Sequence, residues 1–218
     1  KYGKNLIGSF YQPNLVISDT KFLKTLPKRE VICGYGEILK HSLIANKKFY
    51  GFLNKNSKKI FSLSSPFIDK AIYESCKIKK KVVEKDEREI GLRKILNFGH
   101  TLGHAIETYC LNNSNKTTLL HGEAIAIGMI TEAFLATQLC GLDLAVAEDI
   151  KKVFLGIFPK SSFTNEDLEA IMDLLRYDKK NSHGKVKFVL LHALGEPAID
   201  IEVPSENIMK TFKFYQRA

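Results

Sequence analysis

The sequence predicts a mainly α-helical domain with one small β-hairpin, preceded by the terminal strands of a sheet. Three observations predict it. Apolar residues recur at helical spacing through most of the 218 residues. Two apolar runs, 186–191 and 198–203, are rich in β-branched residues and stand on either side of a turn, as in a hairpin. The first twenty residues hold two short apolar runs around Gln12-Pro13-Asn14, a pattern of strands joined by a turn.

In chain order, residues 19–27 form a short helical turn stopped by Pro27. From 29 to 46 the residues Val31, Ile32, Ile38, Leu39, Leu43 and Ile44 recur at helical spacing, so Glu37 and Lys40 lie three apart on one side. A short helix is expected over 49–53. Ser64-Ser65-Pro66 then offers an N-cap and a first-turn proline for a helix running to about 83. This helix carries Lys77, Lys79, Lys80 and Lys81, mostly a solvated basic face. Residues 86–91 form a charged loop leading to helical sequence from about 97. After a polar loop of Asn, Ser, Lys and Thr, His121 opens the most apolar helix, which runs to about 139. A helix over 144–158 is broken by Pro159, and Thr164 to Asp167 resembles a capping box ahead of 168–175. The loop 177–184 is polar, and Pro204-Ser205-Glu206 starts the final helix.

Composition narrows the class. With 44% hydrophobic and 26% charged residues the chain reads as soluble and globular. The formal net charge of +9 would suit nucleic acid, but there is no DNA-reading motif and no aromatic-basic RNA-binding strand. A small anionic substrate is equally served by that charge, so no nucleic-acid partner is expected. Cys33, Cys76, Cys110 and Cys140 are widely spaced with no Cys-x-x-Cys pair, as in reduced cytoplasmic proteins. The longest apolar helix carries Glu132 and Gln138 and falls short of a membrane span, so no membrane association is expected. The chain begins at Lys1-Tyr2-Gly3 and reads as starting inside something longer.

Chemistry concentrates in residues 86–123, which hold half of the six histidines. On a helix, His100 and His104 share one face with Cβ atoms about 6 Å apart. Gly99 and Gly103 precede them; since each glycine costs a helix about 1 kcal/mol relative to alanine, a bulky group or second backbone should approach that face. His121 opens the next helix, so three imidazoles can converge where two helix ends meet. Three protein ligands with an open fourth position is the pattern of a catalytic zinc. Spacing alone does not choose the trio, and the bland alternative is a set of satisfied core or surface histidines.

These residues resemble those of the 3-dehydroquinate synthase family. The resemblance rests on blocks at 3–13, 23–30, 36–40 (Gly-Glu-Ile-Leu-Lys), 86–93 (Asp-Glu-Arg-Glu-Ile-Gly-Leu-Arg), 97–107 (Asn-Phe-Gly-His-Thr-Leu-Gly-His-Ala-Ile-Glu) and 121–124 (His-Gly-Glu-Ala). It implies the helical C-terminal domain of that fold over 28–218, binding metal and substrate, with 1–27 as the remnant of an NAD-binding α/β domain. Glu37, His100 and His121 match the family's ligands for zinc (or cobalt), His104 a proton-transfer position and Glu89 a proton acceptor. Asn5, Lys79, Arg93 and Asn97 match substrate-contacting positions, joined by Lys179 or Lys180. Lys4, Phe22, Leu23, Lys24 and Thr25 match positions near the nicotinamide of NAD. The implied reaction converts 3-deoxy-D-arabino-heptulosonate 7-phosphate to 3-dehydroquinate and phosphate by oxidation, elimination, reduction and aldol cyclisation, in a cytoplasmic homodimer.

The chain departs from the family pattern in having no Gly-x-Gly-x-x-Gly turn after a strand, the fingerprint of a dinucleotide site. Rival readings are another sugar-phosphate cyclase, a metal-dependent polyol dehydrogenase of the same architecture, or a non-catalytic zinc-stabilised helical module. Structural zinc sites prefer four ligands rich in cysteine, and no cysteine here adjoins these motifs.

Overall fold

Nineteen consecutive residues that are apolar on nearly every face can only be stable if other elements surround them. That helix, α5 (His121–Leu139), is the axis of the molecule, with Ala124, Ile125, Met129, Ala133 and Leu135 all buried. The computed structural model describes residues 11–177 and 186–217. Around α5 pack α1 (Lys28–Ala45), α4 (His100–Asn112), α6 (Leu144–Leu155), α8 (Ser205–Gln216) and strand β1 (Lys187–Ala193). Helices α2 (Lys47–Phe61) and α3 (Phe67–Lys85) lie against α1 and each other, and α7 (Asn165–Tyr177) lies against α4. Strand β2 (Glu196–Glu202) pairs antiparallel with β1, with Phe188 opposite Ile201 and Leu190 opposite Ala198. The hairpin is anchored to α1 where Gly195 donates its backbone N–H to the Leu43 carbonyl at 2.7 Å. This is the mainly α-helical domain with one hairpin that the sequence predicts.

Sequence signals account for most element ends. Asp19 caps a short 3-10 turn, Thr20–Thr25, through the Lys21 N–H, and Pro27 ends it. The capping box at α7 holds in both directions: the Thr164 N–H donates to Asp167 Oδ2 at 2.6 Å, and the Asp167 N–H donates to Thr164 Oγ1 at 3.3 Å. Asp143 caps α6 through the Ala145 N–H.

Three expectations need correction. The helix expected over 49–53 runs from Lys47 to Phe61; Asn46 caps it through the Phe49 N–H, and Ile60 extends the buried stripe of Phe49, Tyr50 and Leu53 past a run of lysines. Neither Ser64 nor Ser65 caps α3: Pro66 occupies the cap position, and the Ser64 carbonyl accepts the Phe67 and Ile68 N–H groups. The strands expected over the first twenty residues are not present in residues 11–19, where Leu15, Val16 and Ile17 are exposed. A strand exists only by pairing, and no described residue pairs with this stretch; residues 1–10 lie outside the described residues.

Candidate metal centre

Three helices deliver the candidate ligands. Glu37 stands midway along α1, His100 and His104 occupy the first two turns of α4, and His121 is the first residue of α5. The close crossing of α4 and α5 makes this convergence possible, and glycine is what permits the crossing. Gly99 has φ +79°, and a Cβ there would sit 2.3 Å from Met129 Cγ; at Gly128 a Cβ would come 1.9 Å from the Gly99 carbonyl oxygen. The expectation that a second backbone approaches the glycine face of α4 is met.

The result is a triangle of imidazoles. Ring centroids lie 5.2 Å apart for His100 and His104, 5.5 Å for His100 and His121, and 5.6 Å for His104 and His121. One nitrogen from each ring falls within 4.8 Å of the others. Glu37 Oε1 lies 3.7 Å from His100 Nε2. The other oxygen of Glu37 accepts Lys40 Nζ at 2.7 Å, whereas Oε1 is buried with no hydrogen-bond partner.

These side chains fit a divalent metal. A buried carboxylate oxygen without a donor is costly, and a cation satisfies it. The second nitrogens of two rings already have partners that orient them: His121 Nδ1 is 2.9 Å from Glu107 Oε2, and His100 Nδ1 donates to the Phe98 carbonyl at 3.1 Å. This pattern fixes the tautomer that offers Nε2 to a metal. Burial, then the Lys40 ammonium, pushes the His100 imidazolium down to about 3, so the ring is neutral at ordinary pH. Burial pushes the Glu37 carboxyl up, but Lys40 overrides it and leaves the group below its ordinary value. Burial lowers Lys40 itself.

Beside this cluster lies a loop that Asp86 shapes. Its carboxylate accepts the backbone N–H groups of Ile90, Gly91 and Arg93 at 2.8 to 3.1 Å, hydrogen bonds that hold it below the usual carboxylate range. Glu89, in the left-handed region at φ 58°, accepts the Asn97 amide at 2.6 Å. Arg93 rides the same 3-10 turn (Leu92–Asn97) as Asn97, and its guanidinium donates to the Glu87 carbonyl. Lys79 is exposed on α3, near enough to Lys40 and His41 to depress both.

The structure therefore brings together Glu37, His100, His104 and His121 in one group and Glu89 with Asn97 in another. It does not bring Phe22, Lys24 or Thr25 into either: all three are exposed on the first 3-10 turn, Thr25 bonds only locally to the Phe22 carbonyl, and Leu23 packs on the core. Lys4, Asn5, Lys179 and Lys180 lie outside the described residues.

Sequence reasoning assigned nothing to three groups. Lys40, 3% exposed, holds Glu37; its signal was the three-residue spacing. Glu107, three residues after His104, orients His121. Glu132, an acid inside the most apolar helix, is completely buried. Burial pushes its carboxyl up to about 8, against the opposing pull of backbone N–H groups from Gly99, Leu102 and Thr101.

Comparison with known proteins identifies the family. A family model described as 3-dehydroquinate synthase C-terminal matches residues 34–181, and one described as 3-dehydroquinate synthase N-terminal matches residues 1–33. The 3-dehydroquinate synthase of Pelagibacter ubique strain HTCC1062 is 52% identical over 221 residues, covering 95% of this chain and 57% of that protein. That of Thermodesulfovibrio yellowstonii is 41% identical over 209 residues, covering 95% and 57%. The chain thus spans 57% of the length of these curated relatives. Among solved structures, a 2-deoxy-scyllo-inosose synthase complexed with carbaglucose-6-phosphate, NAD+ and Co2+ superposes with TM-score 0.79 at 27% identity, covering 97% of this chain and 59% of that one. The 2-epi-5-epi-valiolone synthase ValA of Streptomyces hygroscopicus subsp. jinggangensis 5008, with NAD+ and Zn2+ bound, shares the fold with TM-score 0.79 at 21% identity, covering 97% of this chain and 58% of that one. With a family model matching most of its length and its histidine blocks converging in space, the chain belongs to the 3-dehydroquinate synthase family.

Proposed function

We propose that this chain is the metal- and substrate-binding part of a 3-dehydroquinate synthase, acting on 3-deoxy-D-arabino-heptulosonate 7-phosphate to give 3-dehydroquinate and phosphate. One observation carries the proposal beyond family membership: the buried, donorless Oε1 of Glu37 beside the neutral Nε2 of His100 in a three-histidine cluster. Glu37, His100 and His121 are the proposed ligands of zinc or cobalt. When bound, the metal polarises a hydroxyl or carbonyl oxygen and NAD exchanges the hydride.

The remaining work falls to side chains. Lys40 neutralises part of the charge on Glu37 and fixes its carboxylate plane. Glu89 accepts a proton from the substrate, with the Asn97 amide holding its Oε1 in place. His104 moves a second proton. Arg93 and Lys79, with Lys179 or Lys180, meet the substrate's carboxylate and phosphate, for which the planar fork of Arg93 is suited. In the bound state Arg93 exchanges its Glu87 carbonyl for substrate. Lys4 and residues 22–25 belong to the nicotinamide side of the site and Asn5 to the substrate side, with 1–27 as the remnant of the NAD-binding domain and 28–218 as the metal- and substrate-binding domain.

The reading includes a cytoplasmic homodimer, which rests on the family resemblance alone. No helix among the described residues is long and apolar enough to cross a membrane. Phosphate release from the named sugar phosphate, by the chain completed to the length of its relatives and supplied with NAD and zinc, tests the proposal. Release from a non-acidic sugar phosphate in preference would assign the chain to another cyclase.

A further inference from the structure

Glu132 lies on α5, one helix away from every proposed ligand except His121, and it is fully buried. Its Oε2 accepts the Gly99 N–H at 2.6 Å and its Oε1 the Leu102 N–H at 3.2 Å. The Gly99 N–H belongs to the same peptide unit as the Phe98 carbonyl, and that carbonyl accepts His100 Nδ1 at 3.1 Å. One rigid peptide is therefore hydrogen-bonded at both ends, to Glu132 through its N–H and to His100 through its oxygen. A carbonyl only accepts, so Nδ1 carries the proton and Nε2, the atom facing Glu37, keeps its lone pair.

We propose that Glu132 is a positioning residue for His100, acting through the Phe98–Gly99 peptide to fix the tautomer and orientation in which His100 presents Nε2 to the metal. The proposal rests on the reading of His100 as a ligand. Drawing on the N–H polarises the peptide and strengthens its carbonyl as an acceptor, because hydrogen bonds in series reinforce one another in a low-dielectric interior. The same contact pins the first turn of α4, whose cap residue, Gly99, has no side chain to do so. Each Glu132 oxygen faces a backbone N–H, those of Gly99 and Leu102, whereas a glutamine would set an amide N–H₂ against one of them. Outer partners of this kind are worth roughly 10- to 100-fold in metal affinity.

Two measurements on the full chain test this. In the metal-free wild type, nitrogen-15 shifts of the His100 ring, assigned by comparison with His100→Gln, should show the Nδ1–H tautomer; the Nε2–H tautomer would overturn the proposal without need of a Glu132 variant. Glu132→Gln, compared where circular dichroism shows both proteins folded, should bind zinc roughly 10- to 100-fold more weakly in chelator competition and shift the visible absorption of bound cobalt. A purely structural cap would lower the melting temperature and leave affinity and spectrum unchanged, and that result would overturn it. A wild type that shows the Nδ1–H tautomer yet takes up no zinc would overturn the metal-site reading and leave the peptide coupling supported.

Discussion

His104 and His41 show how two histidines of one site face different demands. The His104 ring stands as close to His100 and His121 as they stand to each other, so geometry permits it as a ligand, while the function proposed above gives it proton transfer. His104→Ala is expected to retain metal stoichiometry and to lower turnover by roughly 10² to 10⁴. Zinc loss equal to that of His100→Ala would make His104 a ligand. His41 is buried under the cluster with Nδ1 2.7 Å from Ser75 Oγ. Burial, then Lys40, pushes its imidazolium down to about 4. Between about 4 and the ordinary value of 6.5 the unfolded chain binds a proton that the folded chain refuses, so stability falls as pH drops through that window. The slope from this group approaches about 1.4 kcal/mol per pH unit. Urea unfolding of wild type and His41→Asn from pH 7 to pH 4 should show a shallower acid loss in the variant; parallel curves would mean His41 is not the group responsible.

The crossing of α4 over α5 is the element-scale feature on which the site depends, and it separates glycines that are needed from glycines that are not. Gly128→Ala drives a methyl into the Gly99 carbonyl and must part the helices, at a cost of at least about 1–3 kcal/mol together with loss of metal binding. Gly51→Ala, at an exposed position of α2, meets nothing within 4 Å and should stabilise by about 0.5–1 kcal/mol through helix propensity. Thermal unfolding and zinc content of the two variants check both signs; a neutral Gly128→Ala would show that the helices do not cross so closely. The sequence disclosed the glycine face of α4 and the periodicity of α1 and α5 because those signals are local. The full length of α2 was hidden by the polar run 54–59, which interrupts the apolar pattern before Ile60 carries the buried stripe onward. Lys40, Glu107 and Glu132 were read as sequence but given no role. The partners of Glu107 and Glu132 are 14 and 30 to 33 residues away, which no spacing rule reaches. The strand expected within residues 11–19 failed for a related reason, since strand formation depends on distant partners.

At the scale of the whole molecule, the proposed function separates metal binding from redox chemistry along the chain. Glu37, His100, His104 and His121 all lie on described helices of one packed core, so the 218 residues alone should bind zinc. The cofactor has different needs. A pyrophosphate is held by a glycine turn at a helix N-terminus, and no Gly-x-Gly-x-x-Gly turn follows a strand in this sequence. Hydride transfer further requires the nicotinamide about 3 to 3.5 Å from the reacting carbon. Without that placement the substrate hydroxyl is not oxidised, and elimination of phosphate depends on the carbonyl that oxidation creates. The chain also covers only 57% of the length of its 3-dehydroquinate synthase relatives, and the apolar Leu15, Val16, Ile17 and Phe22 are left exposed at its start, a surface suited to packing against further protein. The 218 residues, given zinc, NAD and substrate, are therefore expected to hold metal and release no phosphate. Adding the remaining part of a relative as a separate polypeptide should restore some release and protect Phe22 from limited proteolysis. Phosphate release by the 218 residues alone at the rate of a complete relative would place the cofactor site within them and overturn the division of labour.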